Sequence, residues 1–408
     1  MGYTRDVIKG LSWLGGLRIV TRGLVLVKTL IVARALTPLQ FGIFGIVTLL
    51  LTFIEILTET GINIFLIQQK DAIDRYVNTA WIVSIIRGFI IGGIIFILAL
   101  FIANFFHVSQ AYGVITLSSI IPMIRGFINP SIIKLQKELR FNQQFYYQAS
   151  LLFVESLVSI TLVIITHSVY SLIYGMIAGV ACEMVLSHII VKPTPRIIFQ
   201  KDLFTTIVNH GKWITASTIF DYFYQHGDDI AIGRLLNAVS LGFYDMAYKI
   251  SLAPLTDFAD VIGKVAFPVY VKISHDKKRL QRAFLKTLFV VIVVVVPIGL
   301  VLSLFAKEII LVVLGQKWLP AVPALQILGI FGIVRAISVF TNSVFLSIKK
   351  QNIVSLISLV GLSGLGLTII PFVYWWGIVG AGLSALLGTS LTLPVIFYYL
   401  RKHILIQQ

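Results

Sequence analysis

The sequence has little acidic charge, a single cysteine and none of the short motifs that mark common catalytic sites. Asp and Glu number 17 against 33 Lys and Arg, and charged residues make up only 12% of the 408. So little polar surface cannot cover a soluble domain of this size. Cys182 lies inside an apolar run, and one cysteine allows no intramolecular disulfide.

The chain also lacks H-E-x-x-H, G-x-S-x-G and Walker A sequences, and its seven histidines are scattered without the spacing of metal ligands. We therefore expect no metal, no cofactor and no catalytic residue. The sequence favours a protein that is not an enzyme, and without a nucleotide motif any active transport would not use ATP directly.

What the sequence has in abundance is apolar length. Hydrophobic residues make up 58% of the chain, and its mean hydropathy is +0.95. Runs of about 20 apolar residues recur, the length that an α-helix needs to cross roughly 30 Å of hydrocarbon. The predicted fold is an all-α polytopic membrane protein with about 12 transmembrane helices, at 11–34, 41–66, 79–104, 111–130, 148–166, 169–191, 212–234, 241–268, 284–305, 320–347, 352–375 and 377–400.

The net charge of the chain is +16, and its Lys and Arg residues are distributed unequally between the two sides of the predicted topology. With these spans, 21 Lys and Arg fall in the loops on one side, against four on the other: Arg34, Arg234, Lys307 and Lys317. Cytoplasmic loops carry the excess of positive charge, so both termini are expected in the cytoplasm. The basic charge therefore predicts orientation in a membrane, and nucleic acid is not an expected partner.

A weak internal repeat divides the chain. Trp13, Arg34 and Gly42 recur 200 residues later as Trp213, Arg234 and Gly242, and each copy opens a set of hydrophobic segments. The basic, proline-containing stretch 192–196 and the amphipathic segment after it separate the two sets. We predict an N-terminal six-helix lobe at 1–191, a cytoplasmic linker at 192–211 and a C-terminal six-helix lobe at 212–408.

Charged residues inside the predicted spans are the candidate functional residues, because a charge in hydrocarbon is costly unless it faces a wet cavity or a partner. Arg18 and Arg22 share one face of the first helix, and Lys28 lies to one side. On the seventh helix, Asp221 and Asp228 share a face.

In the repeat alignment, Lys28 falls opposite Asp228, which predicts that pseudo-twofold packing brings both charged stripes onto one central cavity. Asp229 follows directly, and Glu55 and Glu59 lie one turn apart on the second helix. For any one of these residues, a snorkelling side chain or a structural ion pair is the alternative interpretation.

Two segments resemble a known family. Residues 33–44, ARALTPLQFGIF, are similar to the first helix-turn of Wzx-type polysaccharide and O-antigen flippases. These flippases belong to the multidrug/oligosaccharidyl-lipid/polysaccharide exporter superfamily. Residues 314–325, LGQKWLPAVPAL, resemble the turn before helix ten of the same family. The resemblance covers essentially the whole chain.

This resemblance implies two six-helix lobes forming a V around a central cavity in the bacterial inner membrane. It implies alternating access that moves an undecaprenyl-diphosphate-linked oligosaccharide from the cytoplasmic to the outer leaflet. Cations on the family's first helix are associated with the lipid's phosphates, which makes Arg18 and Arg22 the leading substrate-binding candidates, with Lys28 and Arg335 after them. Other membrane proteins of polysaccharide assembly are candidate partners.

Acids in the seventh and second helices are the candidates for ion coupling, because a carboxylate that changes environment in alternating access can take up and release a proton. They are Asp221, Asp228, Asp229, Glu55 and Glu59. The alternative is that the aspartates only neutralise the basic helix. Two other functions stay open, a cation-coupled multidrug or small-molecule antiporter of the same fold and a membrane-embedded glycan polymerase or ligase.

Overall fold

The computed structural model describes residues 2–57, 74–138, 140–198, 200 and 222–405, with side chains of the first helix described at 16 and from 20 onward. Within these ranges the regular secondary structure is helical. The chain forms two compact units, Met1–Phe220 and Asp221–Gln408, called here the first and second units. The predicted lobe boundaries near the linker stay predictions, since most of the linker lies outside the described residues.

The helices of the first unit, apart from the short α6, each overlap a predicted span. α1 packs on α7, α7 packs on α8, and α3 packs on the short helices α4 and α5. Their bounds are α1 Gly2–Ala35, α2 Pro38–Leu57, α3 Asp74–Phe105, α4 Ala111–Ser118, α5 Ile120–Arg125, α6 Lys134–Lys137, α7 Phe141–Thr166 and α8 Tyr170–Ile190, with a 3₁₀ turn at Pro130–Ile133.

The second unit has its core between α10, α11 and α13, where Phe284 stacks on Phe340 with ring centroids 5.9 Å apart. Aromatic side chains dominate the apolar area buried in such a core. The helices are α9 over 222–235, α10 Ala238–Ile273, α11 Lys277–Leu304, α12 Ala306–Val313, α13 Val322–Ser347, α14 Gln351–Ser390 and α15 Thr392–Leu400, with a 3₁₀ turn at Gln316–Ala321 and a π-helical turn at Arg401–Leu405.

The first family-like segment is the turn between α1 and α2. Thr37 donates its backbone N–H to Oε1 of Gln40 (2.9 Å), and Gln40 donates its own to Oγ1 of Thr37 (3.3 Å), which is a reciprocal capping box. The Gln40 amide also donates to the His167 carbonyl at 2.8 Å and so ties this turn to the turn after α7. In the second unit, Asn237 begins α10 in the corresponding place and accepts a hydrogen bond from the Ser240 N–H.

The second family-like segment is the turn before α13. Gly315 has a φ of +97°, a conformation that favours glycine, and it begins the 3₁₀ turn Gln316–Ala321. The turn places Trp318 in the interior, fully buried, with its ring edge-on to Phe243 at 6.0 Å.

Seven helices in the described residues are long and apolar enough to cross a membrane, or eight if the bent pair Ala111–Arg125 and Pro130–Lys137 is one span. One of the seven, Gln351–Ile404, contains the non-helical residue Gly377 where the sequence separates spans eleven and twelve. The polytopic helical fold is therefore confirmed, while the count of twelve stays a prediction. Neither α1 nor α10 is among the seven.

Candidate substrate and coupling sites

A polar cavity of about 380 Å³ lies inside the first unit. Glu55 of α2, Arg87 of α3, Arg125 at the end of α5 and Glu183 of α8 supply its charged lining. Apolar side chains and the backbone of the turn after α5 complete the wall. Its volume is within the roughly 300–1,000 Å³ of typical small-molecule sites.

The cavity owes its shape partly to a close approach of α3 and α5. A Cβ atom on Gly88 would lie 2.4 Å from the carbonyl oxygen of Pro122 and 3.2 Å from Cα of Gly126. Only a residue without a side chain permits that approach. The next residue of α3 toward the N-terminus is Arg87, so the contact holds this guanidinium at the cavity wall.

Each of the four charged residues of the cavity has a polar contact. Arg125 forms an ion pair with the Glu55 carboxylate, and Arg87 donates to the backbone carbonyl of Glu55 at 3.2 Å. Glu183 Oε1 accepts a 3.5 Å hydrogen bond from the Tyr147 hydroxyl. The Arg125 side chain is 42% exposed and that of Glu55 is 28% exposed, so water reaches this pair.

A second cavity, of about 230 Å³, shares Arg125 and Glu183 with the first and extends between α7 and α8. Glu155 of α7 lines it and forms an ion pair with Lys28 of α1, with Nζ and Oε1 2.5 Å apart. Lys28, predicted as a weaker substrate ligand, therefore has a carboxylate partner inside its own unit.

Asp228 is more enclosed than Asp229, the other predicted acid described in the second unit. Its side chain is 4% exposed, accepts the Tyr244 hydroxyl at 2.7 Å and accepts the Asp229 backbone N–H at 3.1 Å. Tyr244 lies on α10, so the aspartate links α9 to its neighbour.

Arg335 and Asp228 line one small cavity in the second unit, with Tyr224 and Tyr248. The Arg335 guanidinium carbon lies 4.5 Å from the centre of the Tyr224 ring, a cation–π contact. The sequence assigned Arg335 to the substrate and Asp228 to coupling, whereas the structure places both at one site.

Asp229 differs from its neighbour. Its Oδ2 lies 3.4 Å from Nδ1 of His226, and its Oδ1 is buried with no hydrogen-bond partner among the described residues. A buried oxygen without a partner is costly, and binding a proton or a cation would relieve that cost.

Four predicted site residues remain. Arg22 lies on α1 with an exposed side chain. The side chains of Arg18, Glu59 and Asp221 lie outside the described residues.

Sequence reasoning missed Arg87, Arg125, Glu155 and Glu183 as site residues. Each is an isolated charge within a predicted apolar span, and that signal could have found them. In the described part of the chain, no group of three or more His, Cys, Asp or Glu is arranged to hold a metal ion.

Comparison with known proteins defines the family. A family profile described as "Polysaccharide biosynthesis protein" matches residues 31–323. The chain belongs to this polysaccharide biosynthesis protein family. Of the two segments that suggested the resemblance, residues 33–44 lie within the matched range and residues 314–325 begin within it.

This family member is similar to the lipopolysaccharide biosynthesis protein WzxC of Escherichia coli K12, with 24% identity over 343 residues, 83% of this chain and 69% of that protein. Its fold is that of the lipid II flippase MurJ in an inward closed conformation, with a TM-score of 0.80 at 14% identity, covering 96% of this chain and 88% of that one. An inward-facing multidrug resistance MATE transporter aligns with a TM-score of 0.68 at 16% identity, covering 95% and 98%.

Proposed function

We propose that this protein flips an undecaprenyl-diphosphate-linked oligosaccharide from the cytoplasmic to the outer leaflet by alternating access during polysaccharide biosynthesis. The observation that carries the proposal is the charged cavity within an otherwise apolar helical unit. A diphosphate and its sugars cannot cross hydrocarbon unaided, because unpaired charge and unsatisfied hydroxyls are costly there. A polar cavity enclosed by lipid-facing helices supplies the hydrogen bonds and counter-charges that such a head group loses on leaving water.

The exterior of the helices fits this role. Phe96, Ile97, Leu100 and Phe101 on α3 are all exposed, as are Leu367 and Ile370 on α14. Exposed apolar side chains on helices of this length match a lipid environment. Family membership and the flippase-like fold support the same function.

Substrate contact by cations of α1 is part of the proposal. Arg22 is the residue we assign to the lipid's phosphate, with Arg18 on the same helical face, because a guanidinium can hold a phosphate through two parallel hydrogen bonds. Lys28 and Arg335 are secondary candidates.

We assign ion coupling to the acids of α9. Asp229 has an oxygen without a partner, and it lies beside Asp228, which already accepts two hydrogen bonds. Both oxygens of Asp228 already accept hydrogen bonds, whereas Oδ1 of Asp229 accepts none from the described residues. Oδ1 of Asp229 is therefore the better place for a transported proton or sodium ion. Asp221, Glu55 and Glu59 are further candidates.

The direct test is a flipping assay with the purified full-length protein in liposomes. A fluorescent oligosaccharide on a short prenyl diphosphate would be added to one leaflet, and a membrane-impermeant quencher would report its transfer. We expect transfer that depends on the protein, and a deletion strain that accumulates lipid-linked repeat units on its inner leaflet. No transfer and no accumulation would contradict the proposal.

A multidrug antiporter is a second candidate, favoured by the fold shared with the MATE transporter. It predicts efflux of cationic dyes by the same liposomes and no transfer of the lipid. We propose further that the protein carries out no glycan chemistry. Extension of glycan chains by the purified protein would contradict this and would point to a polymerase or ligase.

A further inference from the structure

We propose that Arg125 and Arg87 form a diphosphate-binding site in the first-unit cavity, and that Glu55 occupies this site as an internal substitute anion which the diphosphate displaces. The inference deepens the proposed function and rests on it, because the ligand is the head group of the proposed lipid substrate. It adds Arg87 of α3 and Arg125 of α5, which the sequence did not select, to the phosphate contact proposed for Arg22 of α1.

The first step of the argument is the position of the two guanidinium groups. Arg87 and Arg125 come from different helices and line one cavity, and both make polar contacts to the same residue, Glu55. Two guanidinium groups that contact the same acidic residue can also bind one diphosphate, because a diphosphate presents several anionic oxygens.

The second step is the strength of the existing pair. Arg125 and Glu55 are partly exposed, and ion pairs reached by water contribute about 0–1 kcal/mol. Such a pair is weak enough to exchange partners. The Lys28–Glu155 pair is more enclosed, with 15% and 23% exposure, and it is the less suited to exchange.

The third step concerns size and charge. A cavity of about 380 Å³ takes a head group but not an oligosaccharide of several rings, so it selects the charged part of the ligand. Glu183 also lines the cavity and opposes an anion, and Tyr147 donates to it. Among the described residues two cations and two acids line the cavity, so this lining has no excess positive charge to offer until Glu55 moves away from Arg125.

The test is equilibrium binding of farnesyl diphosphate to the detergent-solubilised full-length protein. Glu55→Gln removes the competing charge and keeps the side-chain volume. We expect it to bind about twofold to fivefold more tightly than the unmodified protein, since about 1 kcal/mol is the upper end for a partly exposed ion pair. We expect Arg125→Gln to bind about tenfold or more weakly, with Arg125→Lys in between, since Lys keeps the charge but loses the fork.

Three comparisons define the ligand and the location. Inorganic pyrophosphate should compete with farnesyl diphosphate and farnesol should not, because the proposed site binds the diphosphate group and not the prenyl chain. Competition by farnesol alone would overturn the assignment and indicate a site for the prenyl chain. Asp260→Asn is the matched control, because it removes one member of the Lys264–Asp260 ion pair in the second unit, and it should leave binding unchanged.

The sign of the Glu55 effect decides the inference. A purely structural Glu55 predicts weaker or unchanged binding by Glu55→Gln, and that result would overturn the proposal, as would full binding by Arg125→Gln. If Glu55→Gln lowers the melting temperature, Glu55→Asp carries the same test, because the shorter acid holds Arg125 less closely. Flipping with normal rates in Arg125→Gln would contradict this inference alone, whereas binding without any flipping by the unmodified protein would contradict the proposed function alone.

Discussion

Lys28 of α1 and Glu155 of α7 form an ion pair with 2.5 Å between Nζ and Oε1, across 127 positions of sequence. The pair joins α1, which carries the predicted substrate cations, to α7, in which Glu155 is the one acidic residue. It gives Lys28 a structural role in addition to the predicted one. The alternative interpretation of buried charges as neutralising pairs therefore holds for Lys28, although its partner is a glutamate of α7.

The Lys28–Glu155 pair should contribute to stability. Lys28→Gln leaves the Glu155 carboxylate without its cation, and we expect a loss of about 2 kcal/mol, below the ~3–5 kcal/mol for a fully buried pair because both side chains are partly exposed. Thermal unfolding in detergent measures this. The exchanged variant Lys28→Glu with Glu155→Lys should recover most of the stability. If it recovers none, the stability does not come from the attraction between the two charges.

Arg22 should be required for transport and not for folding. Its side chain is exposed on α1, so Arg22→Ala should insert and express normally while flipping falls to background. Arg34→Gln, which changes another exposed cation at the end of the same helix, is the control and should flip at a normal rate. Full activity of the double variant Arg18→Ala with Arg22→Ala at normal expression would exclude the phosphate-binding role.

The two adjacent aspartates of α9 should behave differently. Asp229→Asn removes titration at the oxygen without a partner, so flipping should continue but lose its dependence on pH. Asp228→Asn should instead lower stability by about 1–3 kcal/mol, because the two carboxylate oxygens accept from the Tyr244 hydroxyl and the Asp229 N–H, and asparagine keeps only one acceptor oxygen. Rates measured in liposomes from pH 5.5 to about 8, together with melting temperatures, separate the two effects. Unchanged pH dependence in Asp229→Asn would assign coupling elsewhere.

Close packing at Gly88 should be essential to the first-unit cavity. Gly88→Ala would place Cβ 2.4 Å from the Pro122 carbonyl oxygen, and relieving that overlap should cost about 1–3 kcal/mol and move Arg87. Gly93→Ala on the same helix is the matched control, because nothing lies within 4 Å of its Cβ position. The control should be neutral or slightly stabilising, since alanine is the better helix former. Equal melting temperatures for the two variants would contradict the packing argument.

The sequence alone was sufficient for the helical membrane fold, and each predicted span overlaps a helix in the described residues. Apolar runs of membrane length must form helices, because the bilayer leaves backbone groups no other partners. The two segments that resembled the family are turns in the structure, and the capping residues Thr37 and Gln40 and the glycine at 315 lie in them. Such signals are local, and they need no knowledge of neighbouring helices.

The sequence could not decide which charges meet. Helical periodicity places Arg18, Arg22 and Asp228 on faces, but a face does not name the helix that packs against it. Arg125 and Glu55 are 70 positions apart and Lys28 and Glu155 are 127 apart, and only the packing of α1, α2, α5 and α7 brings them within ion-pair distance. Apolar side chains pack without directional bonds, so many arrangements of the same helices satisfy the same pattern. The sequence therefore determined the class of protein and its apolar helices, while the tertiary structure decided the partners of the buried charges described here and with them the candidate sites.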